Sequence, residues 1–172
     1  IYEDNIDIVK KLIERGANVN VKDNTGKTAL VYANDIKNES IQEDITKFLT
    51  DAKQIRQTYL KELNKQLLDA VLGENLEEVE KLINQGADIN IKDDTDQTTP
   101  LMLAISCGYN DIAIFLIDNN AELDEQDTDG ETALMQAIYE DNIDIVKKLI
   151  ERGANIDIKD DTVQMTPLML AI

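Results

Sequence analysis

Eighteen residues, IYEDNIDIVKKLIERGAN, occur twice without a change, at Ile1 to Asn18 and again at Ile138 to Asn155. An unchanged internal copy of that length marks a chain built from repeats, each too small to bury its own apolar face except against a neighbour. Within the copy, Ile6, Ile8, Val9, Leu12 and Ile13 fall at helical spacing, and Gly16 follows Arg15 as a stop signal.

After the first copy comes NVNVKDNTGKTAL, an extended pair leading to an Asp-Asn-Thr-Gly turn and then to Thr28, a good N-cap for a helix from Ala29. The same signature returns at Thr99, Thr132 and Thr166, which open TPLMLAI, TALMQAI and TPLMLAI at intervals of 33 and 34 residues. Pro100 and Pro167 occupy the first helical position, where a missing N–H costs nothing. Second helices follow as DIAIFLIDNN from Asp111 and NIDIVKKLIERG from Asn142. Turn, helix, helix is the unit, and stacking such units gives an all-α solenoid.

Asp129 to Asp157 (DGETALMQAIYEDNIDIVKKLIERGANID), Asn75 to Asn90 and Asp96 to Ile117 resemble ankyrin repeats, and the resemblance covers nearly the whole chain outside about residues 35–62. It implies paired antiparallel helices with β-turn fingers projecting from them. The chain departs from the family's Thr-Pro-Leu-His pattern: Val31, Met102, Met135 and Met169 stand where histidine is expected, so the Thr-to-His hydrogen bond is expected to be missing.

Two repeats resemble caps. Leu63 to Asn90 lacks a leading turn and is polar at Asn64, Lys65 and Gln66, like an N-terminal cap; Thr25 to Ala52 ends in polar sequence, like a C-terminal cap. The expected organisation is therefore residues 1–53 as the second half of a repeat plus a C-terminal cap, 38–72 as a long linker or cap helix, and 62–172 as an N-terminal cap, two full repeats and half of another. Placing Tyr2 after Ile172 restores an intact repeat, with Ile1 and Ile172 counted as one position. Caps of a five-unit stack lie roughly 40 Å apart at about 10 Å per packing step, whereas nine joining residues span about 30 Å when fully extended. Closure within one chain is strained, so the expectation is head-to-tail joining of copies through Tyr2, Ile6, Val9, Leu12 and Ile13 on one side and Leu168, Leu170 and Ile172 on the other, building a homo-oligomer or filament. The alternatives are a window cut from a longer tandem array and a circular permutant.

Between Lys37 and Gly73 there is neither glycine nor proline, and Ile41, Ile45, Leu49, Ala52, Ile55, Tyr59, Leu63, Leu67 and Val71 recur at steps of three and four. That spacing fits one amphipathic helix from about Glu39 to Leu72, or two cap helices meeting at a polar kink near Gln54 to Thr58.

The formal charge of −18 opposes binding to nucleic acid or anionic membrane, since both require cations to neutralise phosphate. Partners should be neutral or basic. Lys47 to Gln66 is locally positive, with five bases against two acids. No basic-then-apolar leader opens the chain, and the longest apolar run, about the size of Leu101 to Ile105, is far short of the roughly 18 residues a span needs. A cytoplasmic protein is expected, with a secreted effector as the alternative. There is no histidine and one cysteine, Cys107, so catalytic and metal-binding constellations lose their commonest members, and no cofactor, metal or catalytic residue is assigned. Asp-Thr-Asp-Gly at Asp127 to Gly130 lacks the spacing of a calcium loop.

What remains is recognition. The resemblance implies contact through finger tips and the exposed side of the first helices, on a concave face. Carried over position by position, it selects Asp69, Leu72, Asp96, Thr98, Leu103, Ser106, Asp129, Glu131, Gln136, Tyr139, Glu140, Val163, Met165 and, from the first part of the chain, Tyr2, Lys27 and Tyr32. Segments 91–105 and 158–172 differ only at Asp96 against Val163 and Thr98 against Met165, both finger positions. The chain is read as a non-enzymatic protein-interaction scaffold, with a regulatory or targeting segment of a larger enzyme or effector as the alternative.

Overall fold

Thr99 and Thr132 show how a first helix begins. Each Oγ1 accepts from the backbone N–H three residues on, Met102 at 3.3 Å and Met135 at 3.4 Å. That satisfies a donor with no partner inside the helix. Met102 returns the favour: its Sδ lies 3.5 Å from the Thr99 nitrogen and accepts its N–H. Sulfur is a weak acceptor, but it partly replaces the hydrogen bond that the missing histidine was expected to remove.

The computed structural model describes residues 2–15 and 17–172, without the side chains of Tyr2, Glu3, Asp4, Asn5 and Glu14. The stop signal at Gly16 and the contacts assigned to the Tyr2 side chain lie outside the described residues. The elements are α1 (Tyr2–Glu14), α2 (Ala29–Asn34), α3 (Glu39–Leu72), α4 (Leu76–Asn84), α5 (Pro100–Ser106), α6 (Asn110–Asp118), α7 (Ala133–Tyr139), α8 (Ile143–Glu151) and α9 (Pro167–Leu170). They gather into two compact units, residues 1–61 and 62–172. No helix among the described residues is long and apolar enough to cross a membrane.

In the first unit Ala33, Ile45 and Leu49 form the buried centre, and Ile6, Val9, Ile13, Val19, Leu30, Ile36 and Ile41 pack around it. The second unit stacks helix pairs: α5 packs on α6 and α7, α8 on α6 and α7, and α9 on α7. Its centre is dry and aliphatic, with Leu101, Ile105, Ile112, Leu116, Leu134, Met135, Ile145 and Leu149 all under 2 % exposed. Removing each such side chain from water contributes about 1.5–3 kcal/mol before entropy is counted.

Helix α3 is continuous over 34 residues, about 50 Å at 1.5 Å per residue. Its apolar stripe is not buried along its whole length. Leu63, Leu67 and Val71 are buried at one end and Ile45 and Leu49 at the other, while Ile55 and Tyr59 between them are 71 % and 52 % exposed. Period alone does not say whether a stripe is covered.

The two copies of the duplicated sequence bury opposite faces. In α8, Ile145 and Leu149 are buried while Ile143 and Ile150 are 64 % and 50 % exposed. In α1 the same positions invert: Ile8 and Leu12 are both 56 % exposed, and Ile6, Val9 and Ile13 pack inward. This revises the α1 side of the expected joining surface: Ile6, Val9 and Ile13, assigned to it from sequence, pack inward instead. Ile13 turns inward because it packs toward α2 and α3, and Ile8 joins Leu12 on the open face.

Candidate functional site

Each finger is organised by one aspartate. Asp160 is buried, and its carboxylate accepts from the backbone N–H groups of Thr162, Val163 and Met165 and from the Thr162 hydroxyl, at 2.6–2.9 Å. These donors, the Val163 N–H foremost, hold its pKa at about 2. Asp93 repeats the arrangement with Thr95, Asp96 and Thr98. Burial alone would raise the Asp93 carboxyl; the Thr95 hydroxyl and the backbone donors outweigh it. Asp127 accepts from the N–H groups of Asp129 and Glu131. A carboxylate employed in closing its own turn accounts for Asp-Thr-Asp-Gly without a cation.

Neighbouring fingers are tied through backbone. The Thr128 N–H donates to the Asp96 carbonyl and the Asp161 N–H to the Asp129 carbonyl, each at 2.9 Å. The approach is close enough that a Cβ on Gly130, which sits at φ +76°, would lie 2.4 Å from the Asp161 nitrogen. Lys92 crosses the same gap, donating to the Gln126 carbonyl at 2.8 Å and pairing with Glu125 at 2.6 Å. Finger tips bound in this way present side chains from a fixed backbone.

Of the side chains selected from sequence, the structure connects several. The Ser106 hydroxyl donates to Gln136 at 3.1 Å, and Gln136 donates to Asp127 at 3.3 Å. Glu131 is half-buried, and its carboxyl is raised first by burial and then by Asp127 and Asp129, with the Tyr139 hydroxyl drawing it part of the way back. Tyr139 in turn is raised by burial and by Glu131. Asp96, Asp129, Glu140 and Val163 are exposed, Thr98, Leu103 and Met165 half-buried. Tyr139 and Val163 are 51 % and 65 % exposed, large apolar surfaces among carboxylates.

Others stand apart from this group. Asp69 and Leu72 are exposed near the end of α3, where the Tyr109 hydroxyl donates to the Leu72 carbonyl at 3.5 Å. Lys27 and Tyr32 belong to the first unit. There the Tyr32 hydroxyl donates to Asp23, and the Lys27 ammonium lies 5.5 Å from the Tyr32 ring centroid and 4.0 Å from Asp35. Tyr32 is the main cause of the depressed Asp23 carboxyl. Lys27 and Asp35 occupy the repeat positions held by Glu131 and Tyr139 in the second unit, so one pair of positions carries opposite chemistry in the two units. Cys107 is exposed at the end of α5.

The joining residues divide as well. Leu168 is 71 % exposed and Met169 52 %, whereas their counterparts Leu134 and Met135 are buried. Leu170 is half-buried and holds the register of Leu103, Gln136 and Tyr32. Met169, Ile143 and Ile150 were not selected from sequence; comparing α7 with α9 and α1 with α8, position against position, would have pointed to them. A cavity of about 400 Å³ lies against this end of the second unit, lined by Ala137, Ile138, Ile143, Val146, Leu170 and Ile172 among others.

Comparison with known sequences agrees with the geometry. The family described as Ankyrin repeats (3 copies) matches residues 67–160, more than half of the chain, and the single Ankyrin repeat matches residues 1–24. The chain is similar to protein phosphatase 1 regulatory subunit 27 of mouse, 50 % identical over 58 residues, which is 34 % of this chain and 37 % of that protein. The human protein of that name is 48 % identical over the same share. Ankyrin repeat protein FPV034 of fowlpox virus is 32 % identical over 120 residues, 67 % of this chain and 26 % of that protein. The chain thus spans little more than a third of these relatives at most.

Proposed function

The chain belongs to the ankyrin repeat family, whose repeats generally mediate protein–protein interaction, and from that premise we propose that it is a non-enzymatic scaffold. Its partner is a protein segment of neutral or basic surface, bound across the finger tips and first helices of the second unit, the array's concave face. The observation that carries this reading is the exposure of Val163, on a finger tied to its neighbour through backbone, and of Tyr139 at the end of α7. Rigid aromatic and apolar anchors contribute most of the energy in protein interfaces, and the surrounding Asp96, Asp129, Glu131 and Glu140 favour a basic ligand. Likeness to a phosphatase regulatory subunit supports a module that acts by binding; a regulatory or targeting segment of a larger protein is the form this reading takes if a catalytic region accompanies it.

A peptide library displayed on phage and panned on the protein tests the proposal. Selected peptides should carry Lys or Arg beside an apolar residue, and Tyr139→Ala or Met165→Ala should weaken them by about tenfold or more. Acidic binders, or binders indifferent to both substitutions, would overturn it.

A further inference from the structure

Resting on the finger-face reading, we infer that Gln136 serves that face as a positioning residue. It braces the finger of residues 127–131 against α7 and so fixes Asp129 and Glu131 for a basic partner.

The fingers come in two designs. In the short ones the organising aspartate stands five positions before the N-cap threonine, Asp23 before Thr28 and Asp127 before Thr132; in the long ones it stands six before, Asp93 before Thr99 and Asp160 before Thr166. The residue four positions after the threonine follows the design: Tyr32 and Gln136 with short fingers, Leu103 and Leu170 with long ones. The Tyr32 hydroxyl donates to Asp23, and the Gln136 amide donates to Asp127 at 3.3 Å. Long fingers close on themselves instead. The Gln97 side-chain amide donates to the Asp93 carbonyl and that of Gln164 to the Asp160 carbonyl, each at 2.9 Å. A leucine has no donor, so in the long fingers this register does not tie the aspartate to the helix.

The Gln136 amide is engaged at both ends. A carboxylate only accepts, so the amide nitrogen faces Asp127 and the amide oxygen is left for the Ser106 hydroxyl of the preceding repeat, 3.1 Å away. One oxygen of Asp127 takes Gln136, and the other takes the backbone N–H groups of Asp129 and Glu131. Hydrogen bonds thus run from α5 through α7 into the finger that carries both carboxylates. Gln136 is half-buried and acts through Asp127, while the partner's positive charge meets Asp129 and Glu131. Without the brace, that finger would have to be ordered as the partner binds, which costs affinity.

Calorimetric titration with a Lys- or Arg-bearing peptide selected on the finger face tests the inference, using the full chain, Gln136→Leu and Gln136→Tyr. Leucine is the residue the long fingers place in this register, and tyrosine repeats the brace of Tyr32 on a finger of the same length, so both variants should fold. Gln136→Leu should weaken the peptide about three- to tenfold. It should also speed amide exchange at Asp129 and Glu131 while leaving Asp96 and Thr98, whose N–H groups close the finger of Asp93, as they were. Gln136→Tyr should restore both affinity and protection. If the wild type binds the peptide, an unchanged affinity in Gln136→Leu, exchange that quickens equally in both fingers, or no recovery in Gln136→Tyr overturns this inference and leaves the finger-face reading standing. A wild type that binds no basic peptide overturns that reading, and this inference with it.

Discussion

Ile8 and Ile145 hold the same position in the same eighteen-residue sequence, yet Ile8 is 56 % exposed and Ile145 is 1 % exposed. The helix around each is the same; the neighbours differ. Ile145 lies on the face of α8 that meets α6 and α7, whereas α1 packs with its other face, through Ile6, Val9 and Ile13. Burial here is a property of the stack and not of the segment.

A pair of matched truncations measures that difference. Leu149→Ala removes a side chain with no exposed surface and should destabilise the second unit by about 2–5 kcal/mol. Leu12→Ala, the same residue in the other copy, should change monomer stability by only about 0.5 kcal/mol. Urea unfolding of both variants gives the comparison; equal losses would contradict the assignment of faces.

Alanine at two glycines separates backbone strain from collision. Gly26 sits at φ +80° with nothing near its missing Cβ, so Gly26→Ala should cost about 1 kcal/mol. Gly130→Ala carries the same strain and also pushes on the Asp161 nitrogen. It should cost about 1 kcal/mol more, the worth of the hydrogen bond from Asp161 to Asp129. Thermal midpoints, together with amide exchange at Asp161, report the two contributions.

Asp160 makes acid stability specific. Its pKa, about 2, lies below the ordinary 3.8, so the folded carboxylate contributes stability that is complete above about pH 4 and lost as pH falls toward 2. Asp160→Asn cannot titrate and should lose less stability than the wild type between pH 4 and 2.5, while starting lower at pH 7. Thermal midpoints across that range settle the sign.

Glu131 moves in the opposite sense. Burial and then Asp127 and Asp129 raise its carboxyl, and Tyr139 partly offsets them. Removing the hydroxyl with Tyr139→Phe should therefore raise the Glu131 midpoint further, a shift that carboxyl-carbon NMR reads directly. The raised group favours the fold at low pH and loses that advantage as pH rises through its midpoint.

Much of this was legible from particular residues. Thr99 and Thr132 marked helix starts, and Pro100 the first position of α5, because capping is a local event fixed within four residues. The Asp-rich turns were legible as turns for the same reason. Less legible was the way Asp129 and Asp96 would lend their carbonyls to the next finger, since that contact spans 32 residues and depends on repeat spacing. Ile55 and Tyr59 continue the period of α3 and are nonetheless exposed, because period reports which way a side chain points and is silent on whether anything stands opposite.

The amino-acid sequence by itself determined the repeat, its helix pairs, its fingers and the family, all of which follow from short-range spacing and from the duplication. Only the tertiary structure decided which face of each identical helix is covered, which carboxylates are buried in turns and which stand free, and that Met102 offers its sulfur where no histidine exists. For the faces the physical reason is that burial comes from residues one repeat away in sequence, so identical segments acquire different energies when one has that neighbour and the other does not; for the turn carboxylates and the Met102 sulfur it is side-chain conformation within a few residues, which residue type and spacing leave open.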